Sequence, residues 1–565
     1  MTGLPDFWTS KYFRPEVQKS SHMHQRQIGI TKVMDIWYYF ANDWTSGLPD
    51  FWTSGLPDFW TSKYFRTSEL LYLDFPMKTI YALCAMLMLP AAMPAQSEAP
   101  AAIQPVPTKY QVELMQMGTY AFIHFGPNTF QNKEWGYGDA DPSVFNPDTL
   151  DCDQWVRTLQ GGGMGGVIFT AKHHDGFCLW PSYFTDYTIR KSPYRHGYGN
   201  AVGELAAACK RLNMRLGLYL SPWDRHQANY GQPAYVEYYR NQLNELLLNY
   251  KNLFEIWFDG ANGGDGYYGG AREKRSIDRQ HYYQFDRLFA LVNKLQPQAI
   301  IHTDGGPGSR WVGNEDGVAG ETNWAFLTDA HAVAAGVENY ETVLSQGDAD
   351  GTHFVPAEVD VSIRRPDWFW STTNESKVLT SKQLVDLYYK SVGRNSTFLL
   401  NVPVNIHGKI SAADSTSLAG YYRILQSTFR TNLLNGAKVT ASNERGTSFA
   451  AANVIADDYD SYWATADGTS TGTLTFTLPK ATTLNRVLLQ EYIPLGQRVK
   501  SFTVEYLNNG QWTAIPCTDA MTTIGFKRLL RFSSDITTTG LRIRFTDARG
   551  PLCISAVGAY EATEE

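Results

Sequence analysis

Side chains that could carry out acid–base or ligand chemistry follow several apolar runs of this chain. The run at 253–260, LFEIWFDG, ends on Asp259 and a glycine. A run of this composition predicts a strand buried on both faces, and its terminal carboxylate can either act in chemistry or cap the next segment. Three imidazoles follow two earlier runs, with His124 after the first and His173 and His174 after the second.

The histidines and acids at these positions admit two interpretations. Imidazole and carboxylate groups are good metal ligands, so the three histidines and Asp175 could hold a metal ion. The same imidazoles, together with Tyr219, could instead form hydrogen bonds with the hydroxyl groups of a sugar, while tryptophan rings stack on its apolar face. The residues alone leave both interpretations open.

The elements that must position these residues alternate in type from about residue 110 onward. Helical spacing of apolar residues is clear at 203–212 and 235–250. Strands that alternate with helices in this way predict an α/β fold, a (β/α)8 barrel of the TIM type, whose active sites lie where the strands end. The predicted strands are 120–126, 166–171, 216–222, 253–260, 299–304, 317–322, 354–363 and 397–402.

Four short blocks carry a more specific signal: HFG at 124–126, EWG at 134–136, AKHHDGF at 171–177 and WFDG at 257–260. Together they resemble the signature blocks of the α-L-fucosidases of glycoside hydrolase family 29, over roughly residues 110–430. The resemblance implies a retaining, exo-acting hydrolase that uses no catalytic metal or other cofactor. Its partners would be fucosylated oligosaccharides or glycoconjugates.

Carried over by motif, Asp259 is the expected nucleophile. The block RWVGNE at 310–315 resembles the segment that holds the acid/base in the subgroup cleaving α-1,3 and α-1,4 fucosyl linkages, so Glu315 is the expected acid/base. Glu321 is the second candidate for that role and Glu358 the third. The residues expected to hold fucose or shape its pocket are His124, Trp135, His173, His174, Tyr219, Trp257 and Trp368.

Two other classes of function stay open at this point. A chain that kept the fold without the chemistry would be a catalytically inactive fucose- or glycan-binding protein, although the presence of both Asp259 and Glu315 argues against it. A metal-dependent barrel hydrolase would use the three histidines and Asp175, and a chelator would inactivate it.

The sequence pattern changes after Asn435, where helical periodicity ends. Segment 453–465 and the run at 554–560 resemble the discoidin-type module, also known as the coagulation factor C-type, a jelly-roll β-sandwich. The resemblance implies either sugar binding or bracing of the barrel. It also implies a structural Ca²⁺ near the acidic block, although Ala456 and Ser461 depart from the usual residues. The short alternating runs that predict its strands are 474–476, 486–489, 502–506, 529–532, 541–545 and 554–560.

The start of the chain has a different character. The octad GLPDFWTS occurs three times within the first 62 residues, at irregular spacing that solenoid repeats do not have. Met77 then opens a secretory pattern whose apolar run is too short to span a bilayer, so export to the periplasm or the medium is expected. The predicted divisions are a non-native or disordered extension at 1–76, a signal peptide at 77–95, a linker at 96–109, the catalytic barrel at 110–433 and the β-sandwich at 434–565.

Composition narrows the remaining partners. The 565 residues carry a net charge of -7 without a basic cluster, so no nucleic-acid partner is expected. The six cysteines lack metal-binding spacing. Cys517 and Cys553 fall in the same predicted domain, where they could pair or remain free thiols.

Overall fold

The computed structural model describes residues 98–329 and 340–563. The predicted extension at 1–76 and signal peptide at 77–95 lie outside the described residues. None of the helices in the described ranges combines the length and the apolar character needed to cross a membrane.

Eight parallel strands close into a barrel, which confirms the predicted fold class. In chain order the strands of this half are β1 Thr119–Ile123, β2 Gly166–Lys172, β3 Arg215–Leu220, β4 Glu255–Trp257, β5 Gly264–Gly266, β6 Glu273–Arg275, β7 Ile300–Thr303, β8 Ser309–Trp311, β9 Phe326–Leu327, β10 His353–Phe354, β11 Ala357–Ser362 and β12 Ser396–Asn401. Around the barrel the order is β1-β2-β3-β4-β7-β8-β11-β12, and β12 pairs with β1. Strands β5–β6 and β9–β10 form two separate antiparallel pairs.

The helices of this half precede, separate and follow the barrel strands. They are α1 Lys109–Met117, α2 Pro127–Gln131, α3 Cys152–Gly161, α4 Ala201–Leu212, α5 Pro233–Asn249, α6 Phe285–Leu295, α7 Tyr340–Gln346, α8 Ser381–Lys390 and α9 Ala412–Phe429. The Asn200 side chain caps α4 by accepting a hydrogen bond from the Gly203 amide, and Pro233 begins α5. Both helices coincide with the predicted helical segments.

The sixth barrel strand lies elsewhere than predicted. The sequence placed it at 317–322, whereas the structure has β8 at Ser309–Trp311, directly after the loop 304–308 that follows β7. The two strands are parallel, although parallel neighbours usually need a crossover of about a dozen residues or more. Here the Gly308 amide donates to the Ile301 carbonyl over 2.9 Å, so the loop folds back on its own strand.

The barrel strands are covered on both faces. All residues of β1 and β2 are buried, which explains their nearly continuous apolar sequences. Inside the barrel, aromatic rings of Phe122, Tyr219 and Trp257 pack against one another with centroid distances of 5.2–5.6 Å. These rings form the apolar layer on which the polar residues of the barrel mouth rest.

The second domain is an antiparallel β-structure, as predicted. Its strands are β13 Lys438–Ala441, β14 Trp463–Ala464, β15 Gly472–Glu491, β16 Val499–Asn508, β17 Gln511–Ala514, β18 Arg528–Ala548 and β19 Cys553–Tyr560. The sheet order is β14-β19-β15-β18-β16-β17, with β13 on β15. Register shifts interrupt the long β15–β18 pair, and its strands surround one apolar core that includes Trp463 and Phe476. Cys517 and Cys553 are free thiols.

Buried amide groups join the two domains. Gln497 of the β-domain donates to the Asn323 carbonyl over 3.0 Å, and its oxygen accepts from the Ala325 amide at 2.8 Å and the Asn395 side chain at 3.3 Å. Thr523 accepts from the Asn323 amide at 2.8 Å. Buried polar groups are costly when they lack a hydrogen-bond partner. Residues of the β-domain supply such partners to buried groups of the barrel domain.

Candidate active site

Asp259 lies just beyond the end of β4, at the barrel mouth. The Tyr219 hydroxyl donates to its Oδ2 over 2.9 Å, and the Ala261 amide donates to its Oδ1 over 2.7 Å. Its side chain is 22% exposed, so the carboxylate can be reached from the cavity. Desolvation raises the pKa of Asp259, while the two hydrogen bonds and the nearby His302 act in the opposite direction.

Two of the three histidines are held in one tautomer. The Nδ1–H of His124 donates to Asn401 Oδ1 at 2.9 Å, and the Asn401 amide donates elsewhere, which fixes its oxygen toward the imidazole. The Nδ1–H of His174 donates to Ser221 Oγ at 2.7 Å, since that hydroxyl itself donates to the Trp223 carbonyl. Each ring therefore keeps a bare Nε2, which is an acceptor for a ligand hydroxyl.

The three imidazoles form a row of neutral groups beside Asp259. Ring centroids lie 5.4 Å apart for His124 and His173, and 4.1 Å apart for His173 and His174. Burial lowers the pKa of His124 and of His174 to about 3 and that of His173 far below its usual value. His173 Nδ1 has no hydrogen-bond partner among the described residues, and His174 Nε2 lies 3.8 Å from Asp259 Oδ2. Uncharged donors and acceptors suit a neutral polyhydroxylated ligand better than an anion.

Tryptophan rings flank this row at both ends. Trp368 contacts His124 with a centroid distance of 5.1 Å, and Trp135 contacts His174 at 5.2 Å. Trp135 is 53% exposed although it is large and apolar, so it offers a free face beside the imidazoles. Trp223, which the predicted site did not include, supports both His174 at 5.2 Å and Trp135 at 5.5 Å.

Trp257 forms the floor of the cavity. Its ring stacks on His302 at 4.6 Å with an interplanar angle of 10°, and on Tyr219 at 5.5 Å. The indole N–H donates to Glu358 over 2.8 Å. Trp257 and Asp259 are two residues apart at the end of the same strand, so they share its inward face at successive depths.

Glu315 lies at the rim on the side of Trp368. Its Oε2 accepts from the Trp368 indole N–H at 3.2 Å, and its carbonyl accepts from Arg365. Desolvation raises the pKa of Glu315, the Trp368 hydrogen bond lowers it, and the charge of Asp259 raises it again. The carboxylate of Asp259 is therefore near enough to affect the ionisation of Glu315.

The other two candidate acids lie away from the mouth. Glu321 accepts from Arg394 at 3.1 Å, and its carbonyl accepts from Arg528 of the β-domain at 2.7 Å. Arg394 precedes β12, so Glu321 is at the opposite end of the barrel from Asp259. Glu358 lies early in β11 and is fully buried beneath Trp257.

The barrel interior contains a buried acidic cluster below this floor: Glu255, His302 and Glu358, whose ligand atoms lie within 4.8 Å of one another. Tyr120 and Trp257 both donate to Glu358, one to each of its oxygens. Glu255 Oε2 meets no donor among the described residues, and desolvation followed by the charge of Glu358 raises the pKa of Glu255. The two acids are therefore unequal, since desolvation favours the protonated form of Glu255 while Glu358 accepts two hydrogen bonds.

The residues of the alternative metal site do not form such a cluster within residues 98–329 and 340–563. Asp175 accepts from the Phe177 amide at 3.2 Å, and desolvation raises its pKa to about 7. His124 and His174 use Nδ1 for hydrogen bonds to protein oxygens, which leaves each Nε2 as an acceptor for a hydroxyl group. The geometry therefore favours the hydroxyl-binding interpretation.

Two further acids, Asp360 and Glu134, lie at the site and were not among the predicted site residues. Asp360 on β11 is buried, accepts from the Trp311 indole at 2.9 Å, and has a pKa raised by desolvation and by the charge of Glu315. Glu134 accepts the backbone amides of Trp368 and Phe369. Glu134 stands in the EWG block, and Asp360 alternates with Glu358 along one strand, so motif and period-two spacing were signals for both.

A parallel eight-stranded barrel with a reachable carboxylate at its mouth, beside neutral imidazoles and tryptophans, has the character of a glycoside hydrolase. The family profile described as alpha-L-fucosidase matches residues 102–426, and the profile described as F5/8 type C domain matches residues 438–557. The chain belongs to the α-L-fucosidase family, glycoside hydrolase family 29, and carries a C-terminal discoidin-type domain. Its activity is accordingly that of an α-L-fucosidase.

Named relatives share nearly the whole described chain. Alpha-L-fucosidase 1 of Arabidopsis thaliana is 42% identical over 468 residues, which cover 82% of this chain and 88% of the relative. A glycoside hydrolase 29 family member from an unknown rumen bacterium superposes with a TM-score of 0.73 at 42% identity, covering 83% of this chain and 79% of the other. A Ruminococcus gnavus GH29 fucosidase in complex with fucose has a TM-score of 0.74 at 34% identity, covering 83% and 97%.

Proposed function

We propose that the protein is a retaining exo-α-L-fucosidase in which Asp259 is the nucleophile and Glu315 is the acid/base. The observation that carries the proposal is the Asp259 carboxylate, which two donors hold at the barrel mouth and whose charge acts on a second carboxylate, Glu315, on the rim. A retaining glycosidase uses two such groups about 5–5.5 Å apart.

In the first step an oxygen of ionised Asp259 forms a bond to the anomeric carbon while the bond to the leaving oxygen breaks. Glu315 gives its proton to that leaving oxygen. In the second step Glu315 takes a proton from water, the water oxygen bonds to the anomeric carbon, and the ester to Asp259 breaks. Fucose leaves, and both carboxyl groups return to their starting states. The raised pKa of Glu315 supports the protonated form that the first step needs.

The remaining site residues bind the sugar in this proposal. His124 and His174 accept fucose hydroxyl protons at their bare Nε2 atoms, and His173 lies between them. Trp257 and Tyr219 form the floor, while Trp135 and Trp368 form the walls. The Ruminococcus gnavus relative carries fucose, which supports a fucose-sized pocket in the shared fold.

The test begins with Asp259→Ala. We expect kcat on an aryl fucoside to fall by at least about a thousandfold, with an unchanged circular dichroism spectrum. Asp286→Ala, an exposed carboxylate on α6, serves as the control. Proton NMR of the first-formed product must show α-fucose, since the mechanism retains configuration. An active Asp259→Ala enzyme, or β-fucose as the first product, would overturn the proposal.

We also propose a preference for α-1,3 and α-1,4 linkages. Its support is the block at 310–315, which resembles the segment that holds the acid/base in the subgroup with this preference. Glu315 lies on the loop directly after β8. Initial rates on a Lewis-type trisaccharide, a 2-fucosylated lactose and an aryl fucoside test it at equal concentration. Fast cleavage of the Lewis sugar alone is the expected result, and comparable rates on all three would contradict the preference.

Export is a further part of the proposal, with translation starting at Met77 and cleavage near Ala95. Its support is the secretory pattern of the sequence. Expression of the gene in its own host, followed by N-terminal sequencing of the mature protein, tests it. A mature chain that begins shortly after Ala95 is expected, and one that retains the GLPDFWTS repeats would refute it.

For the C-terminal domain we propose glycan binding as an accessory role. A Ca²⁺ near the acidic block is the cofactor expected from the domain type, but the side chains there do not form a ready cage. Asp458 accepts from the Asp460 amide at 3.1 Å and from the Ser461 hydroxyl at 2.7 Å, so both of its oxygens are engaged within the block. No step of catalysis is assigned to this ion.

A further inference from the structure

A side chain of one loop fixes the backbone of another at the edge of the active site. Glu134, in the loop after α2, accepts from the Trp368 amide at 2.6 Å and from the Phe369 amide at 3.3 Å. The amides belong to the loop after β11, more than two hundred residues later in the chain. Nearby, Asn132 accepts from the Thr372 amide at 3.2 Å, so the two loops meet at a second point.

Trp368, whose amide Glu134 holds, contacts both a sugar-binding imidazole and the proposed acid/base. The Trp368 ring packs on His124, its carbonyl accepts from Asn401 at 2.8 Å, and its indole N–H donates to Glu315. Asn401 also orients His124. Moving the backbone at position 368 would therefore shift a sugar-binding imidazole and the donor to Glu315 together.

We infer that Glu134 is a positioning residue that acts on Glu315 through Trp368. The inference rests on the proposed acid/base role of Glu315. A carboxylate is suited to this task because its two oxygens can each accept from one of two successive amides. Glutamine at this position has one acceptor oxygen and would turn its amide hydrogens toward a backbone N–H.

Charged side chains surround both Glu134 and Glu315. Asp367 and Lys377 face Glu134 and pair with each other at 2.6 Å, and desolvation raises the pKa of Glu134 to about 7. The groups that face Glu315 are Asp259, Asp316, Asp360 and Arg365, besides the Trp368 indole. The indole hydrogen bond lowers the pKa of Glu315, so its loss should raise that pKa.

The first test uses leaving groups. In Glu134→Gln, kcat/KM on a fucosylated oligosaccharide should fall roughly tenfold to a hundredfold, but much less on an aryl fucoside with an acidic phenol, which needs little proton donation. Equal losses on both substrates would mean a merely structural role and would overturn the inference. Glu375→Gln is the matched control, because Glu375 accepts the Trp370 indole in the same loop at 2.7 Å and is half exposed.

The second test uses the pH profile. The alkaline limb of kcat/KM should move to higher pH in Glu134→Gln and by the same amount in Trp368→Phe, which keeps a ring and removes the N–H. The double variant should show the shift of one single variant, because both act through one hydrogen bond. Additive shifts, or an unmoved limb in Glu134→Gln, would overturn the inference.

Glu315→Gln separates this inference from the proposal beneath it. That variant must itself show the leaving-group dependence and lose the alkaline limb. If it does not, the acid/base assignment fails and the inference fails with it. If Glu315→Gln behaves as expected and Glu134→Gln matches the unaltered enzyme, the inference alone is wrong.

Discussion

The Tyr219 hydroxyl donates a hydrogen bond to Asp259 Oδ2 over 2.9 Å, from the neighbouring strand of the barrel. This contact orients the carboxylate and favours its ionised form, which is the form a nucleophile needs. It competes with desolvation, which raises the pKa of Asp259. The reactivity of Asp259 therefore depends on a donor supplied by another strand.

Tyr219→Phe removes this donor and leaves the ring in place. We expect kcat/KM to fall by about tenfold or more, the strength of a hydrogen bond to a charged group. The acid limb of the pH profile should move to higher pH, because loss of the donor favours the protonated carboxyl. A limb that stays where it is in the unaltered enzyme would show that Tyr219 does not tune Asp259.

The two buried glutamates under the floor should respond differently to substitution. Glu358→Gln removes one of the two oxygens to which Tyr120 and Trp257 donate, and should lower the free energy of unfolding by about 1–3 kcal/mol. Glu255→Gln keeps the shape of a side chain whose protonated form burial favours, and should be tolerated. Urea unfolding at neutral pH distinguishes the two variants, and equal losses of stability would contradict this difference between the two glutamates.

The same assignment predicts a pH dependence of stability. Because the folded-state pKa of Glu255 is raised, its contribution to stability is fully present below the unfolded value of about 4.3 and is lost as the pH rises above it. Glu255→Gln removes this loss, so the variant should gain stability relative to the unaltered protein between about pH 4 and neutrality. If the free energies of unfolding of the two proteins changed in parallel with pH, the prediction for Glu255 would be refuted.

The domain interface should be a main source of stability. Gln497→Ala leaves the Ala325 amide without its buried partner and removes one of the two donors to the Asn323 carbonyl, so the free energy of unfolding should fall by about 1–3 kcal/mol. Gln511→Ala, an exposed residue of β17, is the control. Equal stability of the two variants in chemical denaturation would show that the interface amides are not required.

Chelation distinguishes the catalytic site from the C-terminal domain. Since neutral imidazoles and carboxylates account for the proposed chemistry, EDTA should leave the rate on an aryl fucoside unchanged. A calcium ion in the β-domain would appear only as a lower Tm after chelation. Loss of activity that added divalent cations restore would contradict the metal-free mechanism.

Much of the barrel could be predicted because its strands are long apolar runs with polar ends. Asp259 and the histidines follow such runs, so their common location at one end of the barrel could be predicted. Strand β8 was missed because three residues, Ser309–Trp311, have no apolar signature and follow β7 without a helix. Short polar strands depend on their neighbours in the sheet rather than on their own sequence.

The supporting residues were harder to predict for a different reason. Glu134 and Trp368 are far apart in the chain, and Asn401 reaches His124 from the other side of the barrel closure. Such contacts form only when the barrel closes, so the local pattern of apolar residues does not predict them. Glu315 was predicted as the acid/base through resemblance to a family block, whereas its contact with the Trp368 indole is seen only in the structure.

The central claim is that Asp259 forms the covalent bond to fucose. A 2-deoxy-2-fluoro-fucosyl fluoride slows the second step, so the intermediate accumulates and can be digested and sequenced by mass spectrometry. We expect one equivalent of label on the peptide that contains Asp259. A label on another carboxylate, or an enzyme that turns over without becoming labelled, would contradict it.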